Sequence, residues 1–138
     1  MSGECIFCGI VDGSVPGQIV DSDERTVAFM DIAPATPGHA LVVPRAHSAD
    51  LMEIDPGDLQ ATVVAAQRLA RRVTDSLDAD GVNLVNACGA AAAQTVFHFH
   101  IHVIPRYEGD PIELPWIPSP GDPDEIAATA VKLRANGG

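Results

Sequence analysis

Short runs in which apolar and polar positions alternate, separated by glycine and proline, divide much of this chain into strands. Arg25 to Asp31 places Val27 and Phe29 on one side and Ala28 and Met30 on the other. His39 to Pro44, Gly81 to Asn86 and Val96 to Pro105 have the same character, with turn signals at Gly13, Pro16-Gly17, Pro34 to Gly38 and Pro56-Gly57 between them. One segment has the helical period instead. From about Pro56 to Leu77, the positions Leu59, Val63, Ala66, Ala70, Val73 and Leu77 form a continuous apolar stripe. Asp55 suits the cap, Pro56 the first turn and Asp58 the positive end of the helix dipole. Arg68, Arg71 and Arg72 lie at or opposite the stripe's edges and read as a solvated helix end. Glu108 to Pro123 holds five of the 11 prolines, which predicts an irregular arm, and a short helix from Asp124 follows it. The expected class is α+β: an antiparallel sheet of about five strands, one long helix and short terminal helices. One domain is expected over residues 1–138, with its core at 4–107, an arm at 108–123 and a terminal helix at 124–134.

Composition narrows the function classes. A chain of 138 residues with 46% apolar content can bury a core of its own, which excludes wholesale disorder. Eight basic against 19 acidic residues leave a net charge of −11, so neither nucleic-acid backbones nor anionic membranes are expected partners. A nucleotide as a small ligand stays open, because a local site overrides the global field. No run approaches the ~20 apolar residues of a membrane span, and no basic leader precedes an apolar run, so the expected location is the cytoplasm. Three cysteines are an odd number and argue against a disulfide framework. Cys5 and Cys8 form Cys-x-x-Cys, which in a reducing compartment indicates metal or redox chemistry, while Cys88 reads as a small buried apolar residue.

The histidines carry the most information. His98, His100 and His102 alternate within Val96 to Ile104, so a strand would present all three on one face. Phe97, Phe99, Ile101 and Val103 would then share an apolar face fit for the core. Imidazoles stacked about 7 Å apart repel when protonated, so such an array is stable chiefly when neutral, hydrogen-bonded or metal-bound. A single ion held by all three is disfavoured, since the outer two diverge.

From His98 to Ile104 the chain resembles the histidine triad family, whose signature is His-φ-His-φ-His-φ-φ with φ apolar. Gln94-Thr95-Val96, Ile104-Pro105-Arg106, the run from Gly38 to His47, Cys5-Ile6-Phe7-Cys8 and Asp31-Ile32 extend the likeness to about residues 4–107. The resemblance implies a purine nucleoside phosphoramidase or dinucleoside polyphosphate hydrolase acting at an α-phosphorus. It assigns the nucleophile to His100, phosphate contact and proton handling to His102, the leaving-group contact to Thr95 and a supporting proton role to His39. It places the ribose on Asp31, the base near Ile10, Phe29 and Ile32, and further nucleotide contacts at Gln94 and Asn86. Asn86 stands three residues before Gly89 where the family has two, so either the loop has an extra residue or Asn86 belongs only to the strand. The zinc-bearing bacterial branch adds a closed structural zinc on Cys5, Cys8, His47 and His98. A redox dithiol and unmetallated cysteines remain the alternatives. The resemblance also implies a homodimer formed through the long helix and a strand, and the Pro-rich arm with Trp116 is expected beside the leaving group. A nucleotide-binding regulatory module with little turnover is the rival function.

Overall fold

The computed structural model describes residues 5–113 and 116–137, and every structural statement below concerns these. The elements run α1 (Ile6–Asp12), β1 (Ile19–Ser22), β2 (Thr26–Met30), β3 (Ala40–Pro44), α2 (Pro56–Leu77), β4 (Gly81–Val85), β5 (Ile101–Arg106) and α3 (Pro123–Asn136). The five strands form one antiparallel sheet in the order β1-β2-β3-β5-β4. The class is α+β, as the sequence predicts.

Both faces of the central strands are buried, which explains why β2 and β3 read as near-continuous apolar runs. Ala28, Ala40, Val42, Phe99, Ile101 and Val103 face α2, where they meet Ala65, Ala66, Leu69 and Val73. Val27, Phe29, Leu41 and Val43 face the other way, onto Phe7 and Ile10 of α1. The long helix packs one face; the N-terminal helix and the site share the other.

The long helix has the predicted bounds, and Asp55 caps it by accepting the Gly57 N–H at 2.9 Å. Its buried stripe is turned from the predicted one. Thr62, Ala65, Ala66, Leu69 and Val73 face the sheet, whereas Val63 and Leu77 are exposed. Small side chains let the helix approach closely, and Thr62 resolves its buried hydroxyl by donating to the Asp58 carbonyl at 2.7 Å. Arg68, Arg71 and Arg72 are solvated as expected, Arg68 partly and the other two exposed, but Arg68 and Arg72 also reach β1 and its turn. Arg68 binds Asp21 and Asp23 at 2.7 and 2.9 Å, and Arg72 donates to the Val20 carbonyl at 2.9 Å. They fasten β1 across the edge of the helix. That strand has mostly exposed side chains, so it lacks an alternation that periodicity detects.

The predicted strand over Val96 to Pro105 is shorter: β5 begins at Ile101, and residues 96–100 approach it outside the ladder. There the Phe99 N–H donates to the Ser48 carbonyl at 2.7 Å. Phe97 consequently leaves the core and is half-exposed, while Phe99, Ile101 and Val103 stay buried. Cys88 is likewise only partly buried. The helix expected from Asp124 spans Pro123–Asn136 and buries none of its residues. The expected arm is irregular where described, with Trp116 exposed, and residues 114 and 115 of it lie outside the described residues. No described helix is long and apolar enough to cross a membrane.

Candidate active site and metal centre

At the start of α1 the sulfur of Cys5 serves as the helix cap, accepting the Cys8 N–H at 3.3 Å. This geometry aims both sulfurs of Cys-x-x-Cys at one point beyond the helix end. His47, in the segment after β3, and His98 complete a cluster there. Cys5 Sγ lies 3.4 Å from His98 Nδ1, Cys8 Sγ 3.4 Å from His47 Nδ1, and the two Nδ1 atoms are 3.3 Å apart. Four donors about 2.0–2.3 Å from one tetrahedral ion stand roughly 3.3–3.8 Å from one another, so these separations fit. The tautomer fits too: His98 Nε2 donates to the Pro44 carbonyl at 2.8 Å, which leaves the Nδ1 lone pair facing the sulfurs. Without an ion, burial and the neighbouring Cys5 push the Cys8 thiol up to about 11, so a cation is needed to hold it as thiolate. The donor set is that of a closed structural centre. No open coordination position is left for chemistry.

On the same face of the sheet a cavity of about 380 Å³ is lined by Ile10, Phe29, Asp31, Ile32, Thr95, His100 and His102 among others. His100 is buried, wedged edge-on against Phe7 at 5.1 Å between ring centroids. Its Nδ1 donates to the His98 carbonyl at 2.7 Å. A carbonyl only accepts, so the neutral ring keeps its proton on Nδ1 and its lone pair on Nε2.

A second chain of hydrogen bonds fixes His102. The Ala35 N–H donates to His39 Nδ1 at 2.9 Å, which obliges the neutral His39 to carry its proton on Nε2. That nitrogen lies 2.9 Å from His102 Nδ1 and donates to it, so the His102 proton resides on Nε2. Adjacent histidines in the site therefore present opposite functions: His100 a lone pair, His102 an N–H. Burial lowers the affinity of both His39 and His102 for a further proton, against the pull of Asp31. For His102, burial, His100 and His39 together depress the pKa to about 4. Asp31 Oδ2 stands 3.4 Å from His39 Nε2, while its Oδ1 accepts the Ala33 N–H. By distance alone Asp31, His39 and His102 could surround a cation. A metal on His39 Nε2 would, however, require a proton on Nδ1 and rupture of the Ala35 bond, so the arrangement is a hydrogen-bonded relay.

Of the nucleotide contacts the resemblance implied, Phe29, Asp31, Ile32, Thr95 and His102 line the cavity. Ile32 is 97% exposed and stands at the mouth. Asn86 and Gln94 do not line it. The Asn86 amide donates to the His100 carbonyl at 2.9 Å, which places it behind His100. The Gln94 amide is engaged by three main-chain groups. Sequence reasoning missed Phe7 and the Ala35 N–H. Phe7 looks like an ordinary apolar residue between two cysteines, and no side-chain pattern announces a backbone donor.

Residues 12–109 match the HIT domain family. The Bacillus subtilis protein named "Protein hit" is 39% identical over 113 residues, covering 81% of this chain and 78% of that one. The solved structure of a Zn-bound histidine triad family protein from Mycobacterium smegmatis superposes with a TM-score of 0.79 at 37% identity, covering 98% of this chain and 99% of that one. A histidine triad nucleotide-binding protein from Candida albicans superposes with a TM-score of 0.84 at 28% identity, covering 96% of both chains. The chain, with its histidine triad intact from His98 to His102, belongs to the HIT family, a superfamily of nucleotide-binding hydrolases and transferases.

Proposed function

We propose that this protein cleaves nucleoside phosphoramidates or dinucleoside polyphosphates at the α-phosphorus, through a covalent nucleotide on His100. The observation that carries this reading is the His100 tautomer: Nδ1–H is anchored on the His98 carbonyl at 2.7 Å, so Nε2 is left as the nucleophilic nitrogen. In the first half-reaction the Nε2 lone pair forms an N–P bond as the bond from phosphorus to the leaving group breaks. The pair from that bond departs with the leaving group; a polyphosphate leaves as the anion, and an amine leaves after its nitrogen takes a proton from solvent. The His102 Nε2–H stabilises a non-bridging phosphate oxygen, and the Thr95 hydroxyl donates to the leaving atom as its charge develops. In the second half-reaction water adds to phosphorus, the N–P pair returns to Nε2, and the proton of water leaves with the nucleoside monophosphate or solvent. Asp31 receives the ribose hydroxyls, and Ile10, Phe29 and Ile32 wall the purine.

A zinc ion on Cys5, Cys8, His47 and His98 is the resident cofactor in this account. When bound it supplies structure, holding α1 against the segment that carries His98 and His100. The M. smegmatis relative's zinc and the donor distances support this. A homodimer is part of the same reading: β4 is an edge strand with Leu84 and Val85 exposed, and Val63 and Val64 are exposed on α2. The expected location remains the cytoplasm.

Adenosine phosphoramidate and diadenosine polyphosphates, offered to wild type and to His100→Asn, test the reading. Turnover abolished by the substitution supports it and reveals which leaving group is preferred. Nucleotide binding with no wild-type turnover supports a regulatory module instead.

A further inference from the structure

Gln94 immediately precedes Thr95 and is 4% exposed. Its amide orientation is unambiguous, because the partners are a donor and two acceptors. The side-chain oxygen accepts the Gly89 N–H at 2.8 Å, and the amide nitrogen donates to the Ala49 carbonyl at 2.8 Å and the Val96 carbonyl at 3.1 Å. The loop it spans also closes on itself. The N–H groups of Ala92 and Gln94 both donate to the Gly89 carbonyl, at 3.0 and 3.1 Å.

Ala49 is the far end of this tether. It lies two residues after His47, and the intervening Ser48 carbonyl accepts the Phe99 N–H between His98 and His100. The short segment 47–49 thus supports the histidine approach directly and the Thr95 loop through Gln94. If Gln94 turned to meet a ligand, a buried N–H and two carbonyls would lose their partner together, a costly exchange for one new contact.

We propose that Gln94 is a positioning residue: it touches no nucleotide, and its amide sets where Thr95 stands relative to His100 by pinning the Gly89–Val96 loop to the segment that carries His47. This replaces the ligand contact that the resemblance implied for Gln94, and it rests on the proposed role of Thr95 at the leaving group. The chemistry predicts a dissociation of effects. Removing the amide moves a group that acts in the transition state, while the ground-state nucleotide contacts remain.

The test compares Gln94→Leu, Thr95→Val and the double variant in the full chain. Gln94→Leu should lower kcat by about tenfold or more, with KM and the affinity for AMP held within about threefold. The double variant should fall no more than about threefold below Thr95→Val, because the tether acts only through that side chain. Gln94→Glu keeps the acceptor for Gly89 but loses at least one donation, so it should show the same kcat loss if the leucine variant fails to fold. Amide exchange at Gly89, read by NMR, is independent of turnover: it should quicken in Gln94→Leu. AMP affinity weakened about tenfold, or effects that multiply in the double variant, would overturn the inference and make Gln94 a ligand contact. If wild type hydrolyses no nucleotide, the proposed function fails. The Gly89 amide then decides the placement alone: faster exchange sustains the tether and unchanged exchange overturns it.

Discussion

His102 is held neutral by its surroundings, and this makes the protein's stability fall in mild acid by an amount that can be worked out. Its folded-state pKa is about 4, depressed by burial, His100 and His39, against roughly 6.5 in an unfolded chain. Above about pH 6.5 both states are neutral and the contribution is fully present. As pH falls, the unfolded chain binds a proton that the folded ring refuses until about pH 4, so stability drains between those limits. At pH near 5 the loss is about 2 kcal/mol, rising towards ~3.4 kcal/mol in stronger acid. For a chain of 138 residues, an unfolding entropy of ~2.1 cal/mol/K per residue converts about 2 kcal/mol into roughly 7 °C of melting temperature. Protonation of the proposed zinc ligands would also destabilise in acid, so the measurement is a difference. Wild type and His102→Asn are melted near pH 7 and near pH 5, and the metal-linked loss cancels between them. His102→Asn should lose about 7 °C less than wild type across that interval. Equal losses would refute the claim that His102 is kept unprotonated by its setting.

Cys8→Ser should reduce bound metal from about one zinc per chain and lower the melting temperature, because structural metal binding is folding energy; metal analysis beside thermal melts decides this. A metal-free wild type with the same stability as Cys8→Ser would remove zinc from the account. Thr95→Val should lower kcat with KM nearly unchanged, since in the proposed mechanism its hydroxyl acts on charge that develops only in the transition state; a pure KM effect would contradict that role. Gly38→Ala should destabilise by about 2 kcal/mol or more in denaturant melts. The backbone there has φ +93°, and a Cβ would stand 2.5 Å from Leu77 Cδ1 and 3.1 Å from Pro105 Cγ. Wild-type stability in that variant would show that the turn before His39 is not constrained.

What could be read in the sequence follows a physical division. The long helix was legible to its ends because Asp55 and Pro56 are local signals that act within the first turn. The face it buries was not, since Val63 is as apolar as Leu69 and only the sheet decides which points inward. The strand β1 is not legible in the sequence because its order comes from Arg68 and Arg72, which are remote along the chain. Within the site, His98, His100 and His102 announced themselves by spacing, and the Cys-x-x-Cys and His47 by donor chemistry. Their roles were set by partners that leave no mark on residue type. The carbonyls of Pro44 and His98 and the N–H of Ala35 choose which nitrogen of each ring holds the proton. The same holds for Asn86 and Gln94, whose amides could serve a ligand or the chain, and whose main-chain partners become visible only once the loop is folded.

In the proposed mechanism His100 Nε2 attacks phosphorus and carries the nucleotide between the two half-reactions. Rapid quenching of wild type with an adenosine phosphoramidate under alkaline conditions that preserve phosphoramidate bonds, followed by peptide mass analysis, tests it most directly. One adenylyl group is expected on the peptide spanning residues 98–102, located at His100 and missing in His100→Asn. An adduct on His102, His39 or Thr95, or wild-type turnover retained in His100→Asn, would contradict it.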